Sequence, residues 1–351
     1  MKNLFDAAEK ARSLSQFESA RKIYKTLLRS VLTKEEKAEA LLGLADVERI
    51  RGYFPEALSH YRQAGQLFKT IDTTTQLDAQ VGWALSARAS GHPLSALKEL
   101  KKTLIQYQKQ KDLQGEAFTH WALGGTWRIA GNMKKGLKEL RFALKLFKKT
   151  KNSEGLSYTC CALGGIYRML GQYNLSGRYY REANRRMRQR KDIFGVAYSY
   201  CGLGNVERMA GRFKHALPFY KKAEKLYGTI GDRVSYAYTL WSLGTTHKLL
   251  GQYPQAHRSF FQADKLFKST GDARGRIYAL LGHAEIAFIQ ENQTQGLKWW
   301  REAKKVSDQS HYLWEKLHVS SLKEGKVHHL NKQYQKAGSQ FYPMTMPINW
   351  P

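Results

Sequence analysis

Apolar residues fall three and four positions apart through most of this chain, and no stretch alternates convincingly as a strand. In the segment 158–183, Leu163, Gly164 and Tyr167 share one side of a predicted helix. Gly171 suits that helix's end and a turn. Ser176, Tyr180 and Ala183 then mark a second helix, whose small residues allow close approach to the first. The frame returns along the chain. Leu123-Gly124, Leu203-Gly204 and Leu243-Gly244 repeat the first-helix pair, Ala57, Ala96, Ala216 and Ala256 the small residue, and Tyr61, Tyr220 and Phe260 the aromatic. Gly-Asp at 231–232 and 271–272 punctuates the junctions. A period this regular predicts stacked copies of one supersecondary unit, here an all-α array of antiparallel helix pairs. The count is eight pairs and a terminal unit, spanning residues 1–341 as one body. Residues 342–351 carry three prolines and form a tail that cannot be helical.

A basic residue occupies one position of every early unit: Arg12, Arg49, Arg88, Arg128, Arg168, Arg208 and Lys248. From Arg88 onward the interval is 40 residues, and each of these residues precedes a turn residue by three. Phe288 and His329 end the ladder. Trp299, Trp300 and Trp314 are expected to thicken the C-terminal core.

Leu-Gly-x-x-Tyr, a small residue nine positions after the aromatic and another aromatic four later resemble the tetratricopeptide repeat. The 40-residue period and Leu203-Gly204-Asn205 resemble the long-helix subclass of the Pins/LGN-type polarity adaptors; Leu243-Gly244-Thr245 departs from that motif. The resemblance implies a right-handed superhelical solenoid of about eight to nine repeats. It also implies a concave wall built by the first helices, which in that family binds extended acidic peptides.

Successive helical residues turn by about 100°, so Tyr158, Cys161, Gly165 and Arg168 lie opposite the packing side. Their counterparts recur at the same interval: Phe118, Tyr198, Tyr238 and Tyr278 at the first position, Trp121, Cys201, Trp241 and Leu281 at the second, and Gly125, Asn205, Thr245 and Glu285 at the third. The expected groove sets an aromatic stripe beside a cationic one, centred on Arg128, Arg168 and Arg208. Two readings of each stripe stand. The tyrosines line a ligand groove or pack on the next repeat; the arginines hold a ligand or complement the helix dipole.

Charge sharpens the choice of partner. The chain carries 58 Lys and Arg against 29 Asp and Glu, a net charge of +29, which favours anionic partners. The first expectation is an adaptor whose groove takes an extended acidic segment of another protein. The alternative is single-stranded RNA in the same groove, with bases stacked on the aromatics. A second basic field, over 134–151 and 178–191, reads as a solvated face or as a surface for a polyanion. Enzyme chemistry finds no motif: Cys160, Cys161 and Cys201 have no histidine in frame, and neither a cofactor nor a metal is expected. The low, odd cysteine count, the absence of an apolar leader and the lack of any 18-residue apolar run together suggest a cytoplasmic protein without a membrane span. Oligomeric state is left open.

Overall fold

The computed structural model describes residues 2–310 and 312–322; the expected tail at 342–351, and His329, lie outside them. Helices follow one another in pairs: α1 (Lys2–Ser13) and α2 (Phe17–Leu27), α3 (Lys34–Arg51) and α4 (Phe54–Phe68), α5 (Thr73–Ala89) and α6 (Pro93–Gln110), α7 (Leu113–Ile129) and α8 (Met133–Lys149). The series continues with α9 (Ser153–Met169) and α10 (Tyr173–Gln189), α11 (Ile193–Met209) and α12 (Phe213–Ile230), α13 (Arg233–Leu249) and α14 (Tyr253–Thr270), α15 (Ala273–Ile289) and α16 (Gln293–Asp308), and ends in α17 (Leu313–Ser321). These are the eight expected pairs and a terminal helix, an all-α right-handed solenoid, with no strand among the described residues.

The junctions are set by local chemistry. Asp72, Asp112, Asn152, Asp192, Asp232 and Asp272 cap successive first helices, their side chains accepting from backbone N–H groups of the first turn; each such cap contributes about 1 kcal/mol. After α7 and α9, Gly131 and Gly171 take φ of 84° and 72°, left-handed values that glycine adopts without strain. The Leu-Gly pairs have a different cause. A Cβ at Gly164, Gly204 or Gly244 would lie 2.8, 2.7 or 2.7 Å from the ring of Tyr180, Tyr220 or Phe260. The glycine lets the second-helix aromatic press onto the first-helix backbone.

First helices touch their counterparts in the next repeat, α7 on α9, α9 on α11 and α11 on α13, whereas second helices lie farther apart. The odd-numbered helices therefore form the concave wall. The superhelix then closes on itself. Phe17 meets Phe194 with ring centroids 6.3 Å apart, and α3 packs on α13. Tyr53 lies beneath the guanidinium groups of both Arg21 (4.0 Å) and Arg233 (5.3 Å). At this seam a Cβ on Gly52 would stand 2.6 Å from Val234.

The terminal helix completes the closure. Tyr312 donates its hydroxyl to the Ala89 carbonyl at 3.2 Å, and Glu315 accepts from Arg274 at 2.6 Å and from Tyr278. Trp314 corrects the sequence expectation. Trp299 and Trp300 do pack on the C-terminal core, but Trp314 joins the cluster of Met133, Leu163, Ile166 and Met169 in the middle repeats, because closure brings α17 across to them.

A candidate ligand-binding lumen

The concave walls enclose a cavity of about 280 Å³ lined by residues of α5, α7, α9, α11, α13 and α15, by Phe54 of α4, Tyr180 of α10 and Tyr227 of α12, and by Tyr312. Four guanidinium groups face it, those of Arg88, Arg128, Arg168 and Arg274, against the single carboxylate of Asp272.

The ladder residues share one repeat position but differ in what answers them. Arg12 pairs with Glu9 (2.6 Å) and Asp46 (3.3 Å). Arg49 pairs with Asp46 at 3.8 Å and donates to the Tyr61 hydroxyl at 3.0 Å. Arg208, 0% exposed, donates to Asn205 and Tyr220, each at 3.2 Å, and lies 5.4 Å above the Trp241 ring. Lys248 forms a fully buried ion pair with Glu285. Arg168 donates to the Met209 sulfur at 3.1 Å, while its buried Nε has no hydrogen-bond partner. Arg88 and Arg128 have neither a hydrogen-bond nor an ion-pair partner among the described residues.

Three sequence positions account for this. A ladder residue meets the side chain three residues before it, the one twelve residues after it and the one 37 residues after it, which holds the first of these positions in the next repeat. Arg49 finds Asp46 and Tyr61, Arg208 finds Asn205 and Tyr220, and Lys248 finds Glu285 at the third. Around Arg88 these positions hold Leu85, Leu100 and Gly125, and around Arg128 they hold Gly125, Leu140 and Gly165. The Arg88 guanidinium lies across Gly125, where a Cβ would stand 2.6 Å from Nη1.

The electrostatics follow. Burial, with Arg128, Arg49 and Arg274 as neighbouring like charges, pushes the Arg88 pKa down to about 10. Burial also lowers that of Arg128, with Arg274 and Arg168 adding to the effect. Both groups stay charged at neutral pH, and both are destabilised by having no anion nearby. Tyr198, 36% exposed although protein surrounds it, faces the lumen beside them; burial raises its pKa.

Of the expected groove residues, the fold brings Arg88, Arg128, Arg168, Tyr198, Tyr238, Trp241 and Asn205 to the lumen. The others lie elsewhere. Arg49, Arg208 and Lys248 are held in the internal pairs just described. Tyr278 is 1% exposed and bonded to Glu315. Phe118 and Trp121 stack on each other at 5.5 Å within the packing between repeats, and Tyr158 donates to Asp192 at 2.9 Å. The expected centre at Arg128, Arg168 and Arg208 therefore moves one rung earlier, to Arg88, Arg128 and Arg168. Arg274, Asp272, Tyr180, Tyr227 and Tyr312 line the lumen without having been anticipated. Asp272 had a visible signal in its Gly-Asp junction; Arg274 and Tyr312 arrive only through closure. Cys160 and Cys161 are buried free thiols, and burial lifts the Cys160 pKa to about 11, against a nucleophilic role.

The model of the tetratricopeptide repeat matches residues 158–229 and 195–268, the stretch in which the Leu-Gly pairs and capped junctions are most regular. Residues 158–268 therefore carry tetratricopeptide repeats. A search of curated proteins finds no significant match. Solved structures share this solenoid's fold at low identity. The Rap conjugation gene regulator of the plasmid pLS20, in complex with the Phr* peptide, has 14% identity and a TM-score of 0.65 over 84% of this chain and 78% of that one. NprR in complex with its cognate peptide NprX has 14% identity and a TM-score of 0.62 over 95% and 96%. A Rap protein complexed with competence and sporulation factor has 11% identity and a TM-score of 0.58 over 96% and 98%. Among the described residues, no helix is long and apolar enough to cross a membrane.

Proposed function

We propose that this protein is a non-enzymatic binding scaffold whose lumen takes an acidic stretch of a partner protein. The observation that carries this reading is the pair of guanidinium groups of Arg88 and Arg128, facing a cavity and unanswered by any acceptor among the described residues. A half-buried cation without a partner is disfavoured, and an entering carboxylate would relieve two such groups at once through bidentate hydrogen bonds. Tyr198 and Tyr238 supply ring surface beside them. The peptides bound by the structural neighbours support a peptide ligand for this fold. At 280 Å³ the lumen holds the side chains of a short stretch; a longer one requires α17 to leave its seat. The three free cysteines suit a reducing, cytoplasmic setting.

Single-stranded RNA in the same lumen is less well supported. A stacking platform needs exposed ring faces in a row. Here Tyr278 and Trp241 are buried, and Tyr158 is turned to Asp192.

Fluorescence anisotropy with a labelled Glu- and Asp-rich peptide tests the reading. Arg88→Met/Arg128→Met is expected to weaken binding at least tenfold while leaving the circular dichroism of the fold unchanged. Undiminished binding by the double variant would remove the lumen from the mechanism.

A further inference from the structure

The lumen accounts for four cations, while most of the positive charge lies outside it. On α8 the residues Lys138, Arg141, Lys145 and Lys148 form one stripe at helical spacing, and all four are exposed. On α10, the residues 40 positions later are Arg178, Arg181, Arg185 and Arg188, again all exposed. Two cations of the array continue onto α6 as Lys98 and Lys101, and two onto α12 as Lys221 and Lys225, also exposed. The result is a grid in register across four successive outer helices.

Little inside the protein answers it. The only acid of α8, Glu139, is taken by His120 at 2.6 Å. The only acid of α10, Glu182, is shared by Arg185 (2.8 Å) and Arg186 (2.6 Å). The α8 stripe forms no ion pair among the described residues. Like charges three and four residues apart oppose helix formation, and only Arg185 of the two stripes gains an intrahelical carboxylate, that of Glu182, among the described residues.

We propose that the outward face of α8 and α10 is a docking surface for the phosphate backbone of nucleic acid, contacted without reading base sequence. Three features select this occupant. Cations three to four residues apart stand roughly 5–6 Å apart along the helix, a spacing suited to a linear polyanion. The two stripes lie on separated outer helices, so a strand can lie between them and be reached from both sides. A membrane surface is held firmly when apolar side chains insert beside the charges, and the large exposed apolar residue of α8, Phe142, is instead stacked on His120 at 5.3 Å.

The test measures anisotropy of a labelled short single-stranded RNA with the full chain, from about 50 to 200 mM KCl. Parallel arms use phosphatidylserine vesicles and polyglutamate. Binding is expected to be indifferent to sequence. Lys145→Glu/Lys148→Glu/Arg185→Glu/Arg188→Glu should lower RNA affinity more than thirtyfold. The same change should flatten the slope of log K against log salt by about 3, since each lost phosphate contact removes about 0.7. A Gln version of the four substitutions, milder for the fold, should give the same direction. Arg88→Met/Arg128→Met should bind RNA as the parent does. The proposal is overturned if the grid variants bind RNA normally, if only vesicles or polyglutamate bind, or if the lumen variant alone loses RNA. That last result would also transfer RNA to the lumen and displace the acidic-peptide reading, whereas the other two leave it standing.

Discussion

Arg88 and Arg128 on one side, and Arg208 and Lys248 on the other, occupy the same position of the same repeat, yet they serve opposite ends. The later two have internal partners: Arg208 lies between Asn205, Tyr220 and the Trp241 ring, and Lys248 against Glu285. The earlier two stand beside a cavity with no hydrogen-bond or ion-pair partner among the described residues. The helices carrying them are alike in length and cap. What differs is three neighbouring positions, where glycine and leucine stand in place of acids, amides and tyrosines. Periodicity thus places a charge, but its neighbours decide whether that charge is paired within the solenoid or left facing the lumen.

The largest expected effect breaks the paired end. Lys248→Met leaves Glu285 buried and alone and should cost about 3–5 kcal/mol in urea denaturation. Lys248→Met/Glu285→Met should recover most of that loss. A single-variant cost below about 1 kcal/mol would mean the pair is dispensable.

Next comes the pH response beside the same end. Asp232 caps α13, is 2% exposed, and burial raises its pKa to about 6 from an ordinary 3.8. The fold therefore favours the protonated carboxyl. That contribution is complete below about pH 4 and is lost as pH rises through about 6, on the order of 1–3 kcal/mol. Asp232→Asn keeps an acceptor for the Ser235 N–H and should flatten this part of the stability profile. Parallel profiles for parent and variant would argue against a buried ionising group there.

The unpaired end should respond with the opposite sign. Arg128→Met removes a half-buried charge with no partner among the described residues, so stability should rise by about 1 kcal/mol while acidic-peptide binding falls. A loss of stability as large as that of Lys248→Met would erase the distinction between the two ends. The smallest effect converts one class into the other. Gly165→Asp places a carboxylate between Arg128 and Arg168, where a Cβ meets only the Tyr180 hydroxyl at 3.4 Å. Stability should stay within about 1 kcal/mol of the parent, and peptide binding measured by anisotropy should disappear because the lumen has acquired its own anion.

Much of the fold was legible from residues alone. Leu163-Gly164 and Tyr180 fix the contact within a pair, and Asp232 and Asp272 after their glycines mark where first helices begin. The site was only half legible. Tyr198 and Tyr278 hold the same repeat position, yet one faces the lumen and the other bonds to Glu315, because α17 brings that carboxylate against Tyr278 of the last repeat. The emptiness around Arg88 and Arg128 was written at residues 85, 100, 125, 140 and 165, but it could be read only once the side chains that a ladder residue touches were known.

By itself, the sequence determined the helices, their pairing and the ladder, since these depend on spacing within one or two repeats and on turn and cap chemistry that acts locally. The tertiary structure decided that the superhelix closes, that Tyr53 meets Arg233 and Tyr312 meets Ala89, and hence that the groove is a lumen with a particular set of walls. Those contacts join residues roughly 180 to 220 positions apart. They follow from the small rotation that each repeat adds to the last, a quantity summed over the whole stack and visible in no single unit.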